Sequence, residues 1–224
     1  MGLGLQTTTQ GDFGAICVFD ARAGRMFRVE RTQGAAGWES ERIDITSPAP
    51  SFAIDMGSLT VGWIHFAATG PDFKMVPLGS PLPERPTTEH KQGFRVKIAG
   101  KLLGGVREFS HSAKCVLGSL DSLHTLYEAD PEAAQGKIPV VRMTSVTPVV
   151  TKGPQGNTTN YAPVFDIIAW TPRDEALFGP RTVPAPGARA AAPTPKPAPA
   201  AHVPPPAQAA KAPEPELEDS SMPF

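Results

Sequence analysis

Only two cysteines, Cys17 and Cys115, occur in the 224 residues. Both sit among apolar neighbours, too few for a disulfide scaffold, and neither belongs to a zinc-ligand spacing. His111 lies one helical turn before Cys115, but no further ligand is close in sequence. Two buried free thiols in a reducing compartment are the expectation. No apolar run approaches the roughly 18 residues of a membrane span, and residues 1–10 lack the basic start and apolar centre of a secretory signal. These absences lead to the expectation of a cytoplasmic protein with no membrane partner. Net charge is scarce too, at −1 from 21 Lys+Arg and 22 Asp+Glu. Overall basicity therefore gives no argument for nucleic acid.

Catalytic signatures are also missing. There is no P-loop, no Gly-rich dinucleotide turn, no nucleophile elbow and no zinc-protease helix. His65, His90, His111, His124 and His202 are dispersed. Asp20, Asp44, Asp55 and Asp166 form no recognisable nuclease pair. Neither enzymatic activity nor a cofactor or metal is expected.

Proline, by contrast, is abundant: 26 residues, more than twice the ordinary usage of about 5%. It concentrates after Gly179-Pro180, where Pro and Ala dominate to Pro213. Such a segment buries too little apolar surface to offset its ordering entropy. It reads as an extended tether of partly polyproline-II character. The charges follow the same division. Residues 1–178 hold 17 basic and 18 acidic side chains, residues 179–213 hold four basic and no acidic ones, and residues 214–224 hold four acids. A near-neutral body, a basic tether and an acidic end follow in that order.

Residues 1–178 read as mainly β. Arg25–Arg31 and Phe94–Ile98 alternate apolar and polar positions, Ser58–Ala67 is rich in β-branched and aromatic residues, and the short Val106–His111 is a further candidate strand. Ile138–Val150 and Tyr161–Trp170 are expected to form a long β-hairpin whose tip is a polar loop, Thr151–Asn157. One helix is expected over Ala113–Tyr127, capped by Ser112, with Val116, Leu117, Leu120, Leu123 and Leu126 on its apolar face. Strands with one helix inserted before the last hairpin suit a small barrel such as the oligonucleotide-binding (OB) fold, followed by a disordered C-terminal tail.

The chain ends Glu218-Asp219-Ser220-Ser221-Met222-Pro223-Phe224. This resembles the C-terminal tip of bacterial and phage single-stranded-DNA-binding proteins, in which acids precede an apolar residue, a proline and a terminal Phe. Departures are the thin acidic run, with Ser220 and Ser221 in place of acids, and Met222 where Ile or Leu is commoner. The resemblance covers the tip and tether and not the folded domain, which suggests a phage-encoded or divergent member acting in the host cytoplasm. It implies an OB-like single-stranded-DNA-binding domain at 1–178, a linker at 179–213 and a partner-docking tip at 214–224. It further implies coating of single strands in DNA replication, recombination and repair. Polymerase, primase, helicase or nuclease would be recruited through Glu216, Glu218, Asp219, Met222, Pro223 and Phe224, and self-association into dimers or tetramers is a family trait. Physically, a terminal Phe fills an apolar pocket while its carboxylate pairs with a cation. Pro223 lowers the ordering cost of docking.

Binding single strands without sequence preference requires a cationic track and aromatic faces. Candidates in the body are Arg95, Lys97, Lys101, Arg107 and Phe109, and in the hairpin Arg142, Lys152, Tyr161 and Trp170. On a period-2 strand, Phe94, Val96 and Ile98 face the core while Arg95 and Lys97 face outward. Trp38 is a further stacking candidate; Trp63, among apolar neighbours, is expected in the core. The competing readings are a phage structural or assembly β-protein with a disordered tail, a protein-interaction adaptor, and a metal-dependent nuclease.

Overall fold

The computed structural model describes residues 15–34, 37–67, 70–153, 156–179 and 181. The expected tip and nearly all of the expected tether lie outside them. Nine strands are formed: β1 (Ile16–Asp20), β2 (Arg25–Gly34), β3 (Gly37–Asp44), β4 (Ser51–Ala67), β5 (Gly70–Pro77), β6 (Lys91–Gly100), β7 (Gly105–His111), β8 (Ile138–Gly153) and β9 (Gly156–Thr171). Helix α1 (Lys114–Ala129) and the short α2 (Pro131–Ala134) separate β7 from β8, and α3 (Glu175–Phe178) follows β9.

All nine strands belong to one mixed sheet of order β3-β2-β1-β7-β6-β4-β8-β9, with β5 on the other part of β4. The sheet is open, not the closed barrel expected from the sequence. Its two halves still approach each other, since the Tyr161 amide of β9 donates to Ala21 O beside β1 at 2.6 Å. Long β4 serves both halves, pairing with β6 along most of its length and with β8 at Ser51–Ala53.

Residues opposite one another on neighbouring strands share a face. The register Ile54↔Ile98, Val96↔Phe109 and Phe94↔His111 therefore lines one face with apolar side chains. That face holds Phe52, Ile54, Phe94, Val96, Ile98 and Phe109, all nearly inaccessible. Val116, Leu120 and Leu123 of α1 complete the cluster. The inward parity of Phe94, Val96 and Ile98 is as the alternation requires. Both cysteines are free thiols; Cys17 is buried in this core, whereas Cys115 is only partly covered.

The start of α1 differs from expectation. Ala113, not Ser112, occupies the N-cap position and makes no side-chain cap bond. His111 replaces the cap. Its Nδ1 accepts the Ala113 amide at 2.8 Å, and its Nε2–H donates to Phe19 O at 3.0 Å. This pair of bonds requires the neutral imidazole. Burial lowers the His111 pKa below its ordinary value, against weaker opposing effects of the Phe19 carbonyl and Asp20. With the folded pKa depressed, the unfolded chain binds more protons in acid, so stability falls as pH drops below about 6.5 and through the folded value. Urea unfolding at stepped pH should show this loss in the wild type, and a smaller one in His111→Asn.

The hairpin is longer than its sequence pattern suggests. Its ladder runs from Ile138↔Thr171 to Gly153↔Gly156, so Thr151 and Lys152 are paired strand residues, not loop. Strands β1, β3 and β5 add to those expected from alternation.

Candidate nucleic-acid interface

The sheet face turned away from the core divides into two halves. One half is covered from the C-terminal side of β9. Arg173 forms a two-pronged pair with Asp55, Nε to Oδ1 at 3.0 Å and Nη2 to Oδ2 at 2.9 Å. Both side chains are sealed from water, at 4% and 0% exposure. Hydrogen bonding to Asp55 raises the Arg173 pKa further. Phe178 inserts beside Ala99 and Ile138, and Arg173 sits over its ring at 5.8 Å. Asp174 caps α3 by accepting the Ala176 and Leu177 amides. The strap 172–179 is thus pinned across β4 and β6.

The other half is open. It is built from the far parts of β4, β5 and β6, where the register places Phe66 opposite Pro71, Ile64 opposite Phe73 and Lys91, and Thr60 opposite Arg95. Phe66 is 59% exposed. It meets Phe73 edge-on at 6.2 Å. The Arg95 guanidinium lies 5.0 Å from the Phe73 ring centre. Glu108 fixes that guanidinium through two nitrogens, Nε at 3.0 Å to Oε2 and Nη2 to both oxygens. Lys91 is exposed at the edge of the same face. Gly93 lets the layers close, because a Cβ there would lie 2.4 Å from Ile64 Cδ1 and 2.6 Å from His111 O.

The opposite face of the β4–β5 arm is occupied by the segment that follows β5. Trp63, half-buried and not a core residue, donates its indole N–H to Pro83 O at 2.8 Å and lies under Arg85 at 5.5 Å. His90 bridges Thr87 and Asp72 at 2.8 and 3.3 Å, and His65 reaches Glu89 at 3.4 Å. These contacts hold the segment down and leave Phe66 on the free side.

The residues nominated from sequence fare differently. Phe109 is 1% exposed and packs edge-on against Phe94 at 5.3 Å, so no base can reach it. Arg107 is buried as well. It donates to Leu103 O, to Val29 O at 2.7 Å and to Glu30 at 2.6 Å, tying β7 to β2. The reason is register: Arg107 lies opposite Ile98 and so shares the inward face. Lys97 points outward as expected, but its ammonium donates to Phe178 O at 2.8 Å and holds the strap. Arg95 points outward within the open half. Lys101 is exposed in the turn between β6 and β7, and Arg142 and Lys152 are exposed on β8.

Tyr161 is partly covered, its ring close enough to Gly24 that a Cβ there would meet it at 3.1 Å. Trp170 stacks on Tyr127 of α1 at 5.9 Å. Trp38 is 65% exposed, yet it stands on β3, at the far end of the strand order from the β4–β5 arm. Phe66, Phe73 and Lys91 do not stand out in the sequence. The signal that points to Phe66 is its place at the hairpin end of an otherwise buried strand.

Among the described residues, no cluster of three or more His, Cys, Asp or Glu side chains could hold a metal ion. No helix among them is long and apolar enough to cross a membrane. Among the described residues the fold is a mainly β body whose open face carries exposed aromatic and cationic side chains. No protein-family model, curated protein or solved structure matches this chain.

Proposed function

We propose that the protein binds single-stranded DNA without sequence preference, as a member of the single-stranded-DNA-binding family, and recruits replication or recombination proteins through its C-terminal tip. The observation that carries the DNA-binding reading is the open half-face, where exposed Phe66 adjoins the Phe73–Arg95 pair and Lys91. A base stacks on any π-face whatever its identity, and a guanidinium plane adds a cation–π surface. Arg95, already oriented by Glu108, exchanges part of that pairing for a phosphate or a base. The strand order supports an OB-like description of β4, β6, β7, β8 and β9, with α1 before the last hairpin. In that fold oligonucleotides lie on the face of the second and third strands and against the first and last loops, which here correspond to β6, β7, the β5 arm and the β8–β9 ribbon. The tip residues Glu216, Glu218, Asp219, Met222, Pro223 and Phe224 supply recruitment in this reading, which rests on the sequence resemblance.

Fluorescence anisotropy of labelled oligo-dT, titrated at stepped salt, tests the reading. Each neutralised phosphate contributes a log–log slope of about −0.7 on single strands, so Lys91, Arg95 and one further cation give roughly −2. Absence of binding at low salt, or binding indifferent to salt, refutes the proposal. Deleting Met222–Phe224 should leave this binding intact while removing capture of replication proteins. Equal capture by the deleted chain refutes the recruitment role.

A further inference from the structure

The β8–β9 hairpin continues as a two-stranded ribbon past the last residues that pack on the core. From Thr147 to Lys152 every side chain is exposed, including Val149 at 38% and Val150 at 58%. A lone two-stranded ribbon is marginally stable in water. Its edges are therefore informative.

The side to which β9 turns its backbone groups is fixed by one contact. The Tyr161 amide donates away from β8, to Ala21 O at 2.6 Å, and its carbonyl accepts the Cys115 thiol at 3.6 Å. The ladder runs without a register shift from Pro163 to Gly156. Residues of the same parity, Asn157 and Thr159, therefore turn their own N–H and C=O groups to that outer side. Among the described residues those four groups meet no backbone partner.

The same parity treats the other edge differently. Pro148 lies opposite Tyr161, so its nitrogen faces the outer side of β8, where a missing N–H costs the hairpin nothing and blunts the edge. Strand β3, at the far end of the sheet, carries Glu39, Glu41 and Arg42, which protect it against strand addition. The β9 edge over Asn157–Tyr161 has neither proline nor charge.

The geometry points to this edge as a homodimer interface, with β9 of a second copy adding antiparallel to Asn157–Thr159. A two-fold axis through Thr158 sets Asn157 of each copy opposite Thr159 of the other. The four free backbone groups of each chain then pair in one step, and β8-β9 joins its copy as a four-stranded ribbon. Self-pairing fits this edge: from Thr144 to Tyr161 the sequence is uncharged apart from Lys152, so two copies meet there without repulsion.

Sedimentation velocity of the full chain over a hundredfold concentration range tests this inference. The wild type should sediment at twice the chain mass at high concentration. Thr159→Pro removes one outward N–H and no hairpin bond, and should weaken association at least tenfold. Thr158→Lys and Thr158→Glu each place like charges on the axis and should be monomeric alone, yet associate when mixed. Circular dichroism matching the wild type shows that the variants fold. A wild type that stays monomeric overturns the inference, as do variants that all dimerise unchanged. Oligo-dT binding by the Thr158→Lys monomer is scored separately, so failure of either proposal is visible without the other.

Discussion

Replacing Arg173 by Met should destabilise the body by about 3–5 kcal/mol, because it strands the Asp55 carboxylate in a site without water. Asp55 is fully inaccessible, and its two oxygens are each satisfied by one guanidinium nitrogen. The partners are 118 residues apart in sequence, so the pair closes the strap onto β4. Urea unfolding read by intrinsic fluorescence measures the loss. The double variant Asp55→Leu/Arg173→Met should recover most of it, since paired apolar side chains avoid the desolvation that the ion pair bears. An unchanged midpoint in the single variant would show that Asp55 finds another partner. The Lys97 ammonium is placed to be that partner, because it faces the same strap.

Phe66→Ala should weaken oligo-dT binding by about 1–3 kcal/mol, the range for removal of one base–aromatic stack, which is roughly five- to 150-fold. Its unfolding midpoint should barely move, because a side chain 59% exposed contributes little burial. Trp38→Ala is the matched control. Trp38 is exposed to a similar extent, at 65%. It stands on β3, at the far end of the strand order from the β4–β5 arm, so its loss should leave binding unchanged. Equal losses from both substitutions would mean that the contacts are non-specific. A loss at Trp38 alone would move the DNA track to β3.

The strand β6 was readable because alternation has a single solution there. Phe94, Val96 and Ile98 can only face inward together, and Arg95 and Lys97 then face outward. Strand β7 was not readable in the same way. In Val106-Arg107-Glu108-Phe109 both parities carry one apolar and one charged residue, and only the pairing of Ile98 with Arg107 selects the inward set. The cost of burying Arg107 is met by the nearby Leu103 carbonyl and by the Val29 carbonyl and Glu30, which lie 78 and 77 residues away in sequence. Phe66 and Phe73 became neighbours through the β4–β5 register. The cap of α1 shifted from Ser112 to His111 because the imidazole is held by Phe19 on another strand.

Local pattern by itself determined that this chain has a mainly β body, where its longest hairpin and its main helix run, and where the Pro/Ala-rich composition begins. Those properties depend on periodicity and backbone chemistry over a few residues. Tertiary structure alone decided what each cation meets. Arg95, Lys97 and Arg107 look alike in sequence, yet one pairs with Glu108 over the Phe73 ring, one holds the strap and one is buried. The physical reason is that a charge is spent or available according to the carboxylate or carbonyl that distant strands bring to it. The same holds for the edge of β9, whose open amides are set by which way Tyr161 turns.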